Sequence, residues 1–477
     1  MVSKTHLTDF LKSNAAAIPD KAAIVCEDKS LSWKQLWELT QKVASNIAPI
    51  IGDSQEQKVV ALLFPNSWQY VVAYLAILET GHIAMPLDVI FKPLEIEAVL
   101  QQIPSELVIA DEANMVRLPS RTNNHLFEDL AKAENSAEHK KLRMPADRQI
   151  ASLMFTSGTT GQPKATTYTH SNHIWNIEVC SQVWKWDSSD SLLISLRLSH
   201  WYGLVMGLTG VLYHGNTMYL QERFEPEATL AELSKGNVTI FTHVAGTFNR
   251  LLDVQDYSHY DLSKVRLLIS GGAPLPPPAW QEFKRRFGHE ILEVYGSSES
   301  GRIASNLLDE RIPGSPGRPL PGVQIRIGEA SEVQVRSKGV FPGYYKNDEL
   351  TKAGFTDDGW WRTGDIGEIS GGRVVLKGRK QERIRRQGYT ISPRDIEWAL
   401  HKDEAISDAY VMGVQHPERA DDELVYFLVT KASEDEIMKF CKEAMPSVWR
   451  PTRIIKLEEI PRTHSGKPKL PKLRAML

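Results

Sequence analysis

The chain has 477 residues, 42% of them hydrophobic and 24% charged, and its 56 Lys and Arg against 59 Asp and Glu leave a net charge of -3. That length divides into two or more domains of ordinary globular composition, and the near balance of charge excludes a field that would recruit nucleic acid or an anionic membrane. Cys26, Cys180 and Cys441 lie far apart and form no CxxC, which excludes a disulfide framework or a local zinc motif and fits a reducing cytoplasm.

The N-terminal stretch MVSKTHLTDFLKSNAAAIPDK has no sustained apolar core of signal-peptide type. Val59 to Phe64 reads as a short buried strand, Pro65-Asn66 as a turn, and Trp68, Val71, Val72 and Leu75 as one face of a helix that Gly81 caps. A strand from His82 to Leu87 follows, so the unit is β-α-β and its sheet parallel. Glu138 to Gln149 is a polar connector. Ile150 to Phe155 is a further strand, then MFTSGTTGQPKAT turns back into an extended Thr166 to Thr169, after which Ser171 can cap a helix. Trp201 to Leu220 has no Asp, Glu, Lys or Arg and is as long as a membrane span, but its glycines and the YHGN turn predict a buried helix followed by a strand. Gly314 to Gly378 is rich in glycine turns and short strands. Beyond a boundary near Arg379 to Gln381, a helix starting at Pro393 and strands at Ala409 to Val414 and Leu424 to Val429 predict a smaller α/β unit. The fold class is therefore α/β: a large N-terminal domain (1–380) with parallel β-α-β sheets and a β-rich subdomain, and a small C-terminal α+β domain (381–477).

The loop from Met154 to Thr166 concentrates hydroxyls and glycines before Lys164, which suits a phosphate cradle built of N–H and O–H groups. It is not a Walker loop, because Pro163 precedes the lysine and Ala165 follows it. Read alone, it is equally a glycine-rich hairpin with no ligand. Five segments in order, MFTSGTTGQPKAT, VYGSSES, WRTGD, KGRKQERIRRQGYTIS and PRTHSGKPK, make the chain resemble the adenylate-forming superfamily: acyl- and aryl-CoA synthetases, peptide-synthetase adenylation domains and firefly-type luciferases. The resemblance runs from Pro19 to the C-terminus.

It implies a two-step reaction: a carboxylate attacks the α-phosphate of ATP, pyrophosphate leaves, and a thiol takes the acyl group from the adenylate. Such a transfer needs positioning and charge neutralisation above all. By this resemblance Thr156, Ser157, Gly158, Thr159, Thr160 and Gly161 hold the leaving phosphates with Lys164 beside them. Tyr295 offers a ring to adenine, Gly272 and Ala273 a close backbone, Ser298 a hydroxyl to phosphate where the family usually has Thr, and Glu299 a carboxylate to Mg2+. Asp365 and Arg379 bind the ribose, and Lys467 bridges acyl carboxylate and α-phosphate. Without the family, Tyr295 is a core aromatic, Glu299 and Arg379 are surface charges, Asp365 is a turn residue and Lys467 belongs to a basic tail with Lys469, Lys472 and Arg474. Gly388 lines the pantetheine path after the small domain turns, and the hinge position, usually Asp or Lys, is Gln381.

The segment LSHWYGLVMGL resembles the acyl- and aryl-CoA synthetase pattern, with His200 as the gate of the acid pocket and Trp201, His243, Ala245, Gly271 and Ala273 as lining. The floor motif FTHVAG departs from the commoner Val-Pro pattern. Amino-acid-activating relatives place an Asp where this chain has Tyr202, so a free ammonium lacks its counter-charge and a simple aryl or short to medium acyl acid is expected. The acceptor is CoA or a carrier-protein phosphopantetheine. The alternatives are a stand-alone amino acid adenylation enzyme that loads a carrier protein, and a catalytically silent nucleotide-binding relative.

Overall fold

The apolar run Val59–Leu63 is a strand buried along its whole length, as a central parallel strand covered on both faces must be. The computed structural model describes residues 4–27, 29–133, 141–156, 164–382, 384–386, 389–415, 422–463 and 467–477. The helix Trp68–Thr80 starts at Ser67, whose side chain accepts from the Tyr70 amide. Gly81 ends it at φ 87°, where a Cβ would meet the Leu142 carbonyl oxygen at 1.9 Å, so only glycine fits. The strand Ile83–Leu87 then pairs in parallel with Val59–Leu63, completing the predicted β-α-β unit one residue later than the His82 start expected.

This unit is the centre of a six-stranded sheet in the order 124–126, 107–110, 59–63, 83–87, 150–156, 164–169. Its last pair is antiparallel, so Ile150–Thr156 and Lys164–Thr169 form the two arms of the loop singled out above. The following helix, His170–Trp184, is capped by Thr169, whose hydroxyl accepts from the Asn172 amide; the expected cap, Ser171, lies inside it. Chain direction decides this, since the strand runs straight into the helix with no turn between them.

A second, nine-stranded sheet runs 318–319, 301–305, 291–297, 267–271, 240–244, 191–194, 217–220, 22–25, 30–32. Its six central strands are parallel. The uncharged stretch from Trp201 feeds it: a helical turn at Trp201–Gly203, a π-helical segment at Leu204–Thr209 and a helix at Gly210–His214 precede the strand Thr217–Leu220. The helix-then-strand expectation holds, and no helix of the described residues is long and apolar enough to cross a membrane.

The glycine-rich region from Gly314 builds an antiparallel sheet, 324–327, 332–336, 361–370 and 373–379. It also contains a helix, Asp348–Gly354, where turns and strands alone were expected; the Asn347 side chain caps it by accepting from Leu350. The C-terminal part holds a hairpin, 384–386 with 389–391, and a sheet of Ile406–Gln415, Asp422–Thr430 and Arg453–Lys456. Its helix Pro393–Leu400, capped by Ser392, docks it to the larger part. Ser392 Oγ donates to the Lys377 carbonyl, and the Trp398 ring fills the space over Gly314.

On that docking helix Glu397 is half-buried and accepts from the Val411 amide at 2.9 Å. Burial, helped by the charge of Glu382, pushes its carboxyl up to about 7 despite that bond. A carboxyl raised in the folded state stabilises most below its ordinary 4.5, and that contribution is lost as pH rises through 7. Glu397→Gln keeps an acceptor for Val411 and cannot ionise. It is expected to match wild type in thermal unfolding at pH 4.5 and to exceed it by about 1–2 kcal/mol at pH 8.5, allowing for the group's residual exposure; equal pH dependence in the two proteins would refute it.

Candidate active site

The hairpin formed by Ile291–Ser297 and Gly301–Ser305 gathers much of the site. Gly296 lies opposite Arg302, and a Cβ there would strike the Gly301 carbonyl at 2.2 Å, so the turn carrying Ser298 and Glu299 needs glycine. Tyr295 is buried and its hydroxyl donates to Asp365 Oδ2 at 2.6 Å. Asp365 and Arg379 face each other across the antiparallel pair of 361–370 and 373–379, with Arg379 Nε 2.9 Å from Asp365 Oδ1. The Asp365 charge holds the Arg379 guanidinium above its ordinary value. Three residues separated by up to 84 positions thus form one hydrogen-bonded unit, and Gly364, next to Asp365 in its strand, takes φ 71°.

Of the phosphate-loop residues, Ser157, Gly158, Thr159, Thr160 and Gly161 lie outside the described residues, as does Gly388; Thr156 is described in its backbone, opposite Lys164. The arms of the loop are well fixed. The Thr167 amide and hydroxyl both donate to the Gly343 carbonyl, and the Tyr345 amide donates to Ala165. This clamp brings Tyr344 to the site: the Lys164 ammonium lies 5.9 Å from its ring centroid, and its hydroxyl donates to Glu299 Oε1 at 3.3 Å. Tyr168 donates to the Ser298 carbonyl from the other side. Burial, then the Glu299 charge, raises both phenols above their ordinary range, so both stay neutral donors. The sequence reading missed both tyrosines; YTH and PGYY carry no spacing signal that joins them to Glu299.

Lys467 comes from the far end of the chain, in a tight turn where its amide donates to Thr463 Oγ1 at 3.1 Å and its carbonyl accepts from the Thr463 amide at 2.6 Å. The residue keeps exposed surface, yet the protein crowding its ammonium and then the charge of Arg379 lower it, while Glu299, Asp365 and Glu382 pull it up. The charges of Asp365 and Arg379, with those of Glu299 and Glu382, therefore act on Lys467.

His200 is half-buried, with Nε2 2.9 Å from Asp88 Oδ2, and Arg197 pairs with the other oxygen of the same carboxylate. Burial alone would raise Asp88, but the bond and charge of His200, with Arg197, hold it at about 2. Neither Asp88 nor Arg197 was a sequence candidate. Trp201 is buried and Tyr202 partly so; the Tyr202 hydroxyl meets Thr242 Oγ1 at 2.8 Å and occupies the space a Cβ on Gly271 would need, at 2.9 Å. Gly272 takes φ 78° with its backbone exposed, and Ala273 follows it partly buried.

Two proposed lining residues are not brought to this group. His243 alternates with Thr242 onto the opposite face of its strand, where its ring packs between Phe224 and Phe241 at 5.3 and 5.8 Å. Its Nδ1 takes Thr247 and the Val244 amide, and burial, then Arg250, lowers the imidazole to about 3, so it is a neutral core histidine. Ala245 starts the next helix and packs into the same core as Phe248. The strand's two-residue period turns the His243 side chain away from Tyr202, whose hydroxyl meets the His243 backbone carbonyl at 3.4 Å, and the start of the helix carries Ala245 into the core.

Residues 11–345 match the model of the AMP-binding enzyme family, and residues 395–467 match the AMP-binding enzyme C-terminal domain. The chain belongs to the AMP-binding enzyme family. This AMP-binding enzyme is similar to the mitochondrial malonate–CoA ligase of Mus musculus, 28% identical over 516 residues that cover 95% of this chain and 88% of the relative. It is also similar to the oxalate–CoA ligase of Arabidopsis thaliana, 28% identical over 498 residues, covering 97% and 96%. Its fold matches that of ATP-bound MatB from Rhodopseudomonas palustris with a TM-score of 0.89, covering 99% of each chain at 24% identity. The two family matches cover most of the large part and most of the small part of the chain in turn.

Proposed function

We propose that this AMP-binding enzyme joins a carboxylic acid other than an α-amino acid to AMP, with release of pyrophosphate, and transfers the acyl group to the thiol of CoA. The observation that carries the reading is the convergence of Glu299, the Asp365–Arg379 pair and Lys467 on one place from three separate parts of the chain.

The residues fit ATP. Asp365, oriented by Tyr295 and Arg379, is an acceptor for ribose hydroxyls, with Arg379 beside it, and the exposed backbone at Gly272 and Ala273 allows adenine to approach beside the Tyr295 ring. The loop from Thr156 to Gly161 with Lys164 receives the β- and γ-phosphates, and Ser298 turns its hydroxyl to the same chain. Glu299 fits Mg2+ as a single carboxylate, since no group of three or more His, Cys, Asp or Glu is gathered for a metal among the described residues; phosphate oxygens and water complete such a shell. When bound, Mg2+ neutralises charge on the leaving pyrophosphate. Lys467 stabilises the charge that moves from the acid's carboxylate onto the α-phosphate. His200, fixed by Asp88, stands at the entrance to the acid side together with Trp201 and Gly271.

For the second step the small domain (381–477) turns about Gln381, carrying Lys467 away and setting Gly388 along the thiol's path. Carriage by CoA is favoured over a carrier protein by the CoA ligases among its relatives. Tyr202 in place of an acidic residue speaks against an amino acid substrate, and a cytoplasmic location agrees with three cysteines set far apart in the sequence.

The test is pyrophosphate release with ATP and Mg2+ over aliphatic, aryl and amino acids, with and without CoA. Release with a non-amino acid that rises when CoA is added is the expected result. Release with amino acids alone would move the reading to carrier loading, and none with any acid would leave a silent nucleotide binder.

A further inference from the structure

Arg302 stands three residues beyond Glu299 on the returning strand of the hairpin, and only 2% of its surface is exposed. Its guanidinium lies 4.1 Å from the Tyr202 ring centroid and 5.2 Å from that of Trp201. Such stacking offsets part of the cost of burying a cation but satisfies no N–H group. Nε and Nη2 are both buried with no hydrogen-bond partner, and among the described residues no carboxylate pairs with Arg302. These two atoms form one edge of the planar fork, with their N–H bonds parallel, which is the edge that grips a carboxylate through two hydrogen bonds. A buried charge left in this way costs several kcal/mol, so a partner from outside the chain is the natural resolution.

The position of the edge says what that partner belongs to. Tyr202, on whose ring Arg302 stacks, reaches Thr242 in the middle of one strand and Gly271 at the carboxyl end of the adjacent parallel strand, the end at which open α/β sheets hold their ligands. Trp201 follows His200 directly. Glu299 lies in the turn of the hairpin whose returning strand carries Arg302. The nearby Cys180 thiol is kept neutral, since burial raises it to about 12 even against the pull of Arg302. No thiolate therefore competes for the fork there, and an ammonium placed beside it would meet a like charge.

We propose that Arg302 is the anion-recognising residue of the acid pocket, and that the acid this enzyme activates carries a second carboxylate, held by the Nε–Nη2 edge while the first attacks ATP. The inference rests on the ligase reading above and narrows its substrate class to dicarboxylic acids. It also assigns Arg302 a specificity role and leaves the chemistry to Glu299 and Lys467.

The experiment compares pyrophosphate release for paired probes: malonate, succinate, glutarate and phthalate against propionate, butyrate, valerate and benzoate. Wild type is expected to prefer one dicarboxylate over its monocarboxylate partner by roughly 100-fold or more in kcat/KM, because a site built for a hydrogen-bonding group rejects the analogue without it. Arg302→Gln is expected to erase most of that preference through the KM of the dicarboxylate while the KM of ATP stays unchanged. Arg302→Lys keeps the charge and the burial of the stem but loses the fork, and is expected to retain the fold with at least roughly tenfold weaker preference; it serves if the glutamine variant fails to fold. Monocarboxylates used as well as dicarboxylates by wild type, or equal losses on both in the variants, would overturn the assignment of Arg302 while leaving a working ligase. No release with any acid would instead overturn the ligase reading, and this inference with it.

Discussion

Lys467→Ala is expected to lower acid-dependent pyrophosphate release by about 100- to 1000-fold, the range seen when one preorganised group is removed from a developing charge. Lys467 is pulled toward its charged form by Glu299, Asp365 and Glu382, and pushed from it by its crowded surroundings and Arg379. A cation poised among these charges and carried by a separate part of the chain contributes most while negative charge is passing from carboxylate to phosphate. Alanine removes it without disturbing the turn, because the bonds to Thr463 use only the Lys467 backbone. Acyl-adenylate supplied ready-made should still be converted to thioester by the variant within a few-fold of wild type. Lys472→Ala, in the helix Leu470–Arg474, is the control for a merely basic tail and should leave both steps unchanged. Equal adenylation by wild type and Lys467→Ala would remove the lysine from the mechanism.

Asp365→Ala is expected to raise the KM of ATP by about 10- to 100-fold, the effect of losing one or two hydrogen bonds to a charged acceptor. In the folded protein the carboxylate has two partners, the buried Tyr295 hydroxyl at 2.6 Å and Arg379 at 2.9 Å. Removing it leaves the Tyr295 hydroxyl without that acceptor, which costs about 1–3 kcal/mol of stability, whereas Arg379 is partly exposed and turns to water at little cost. The KM of the acid should stay within a few-fold of wild type, because in the proposed reading Asp365 serves the nucleotide and Arg302 the acid. A KM for ATP that does not move would show that Asp365 serves the hairpin alone, whatever the loss of stability.

The strand at Val59, the cap at Gly81, the turn into the Pro393 helix and the ordered set of loop motifs are all legible in the order of the amino acids, because each depends on neighbours within about four residues: a period, a cap, a fixed proline φ. The family is legible with them. Local reading also reaches its limit within that distance. Thr169, two residues before the expected Ser171, is the true cap, and Asp348–Gly354 is helical inside a region that reads as turns.

What the tertiary structure decided is who meets whom. Asp88 and Arg197 are 109 residues apart, Tyr344 and Glu299 are 45, and Arg302 meets Tyr202 from another sheet position altogether. His243 and Ala245 were expected at the acid pocket, but the face of the strand carries the first side chain, and the start of a helix the second, into a separate core. Sheet order and register bring these side chains together, and they are set by how whole elements pack; no short stretch carries them. The sequence by itself therefore determined the fold's local elements, the family and the chemistry on offer, while the pairing of Asp365 with Arg379 and the unpaired edge of Arg302 exist only once the sheets have closed over them.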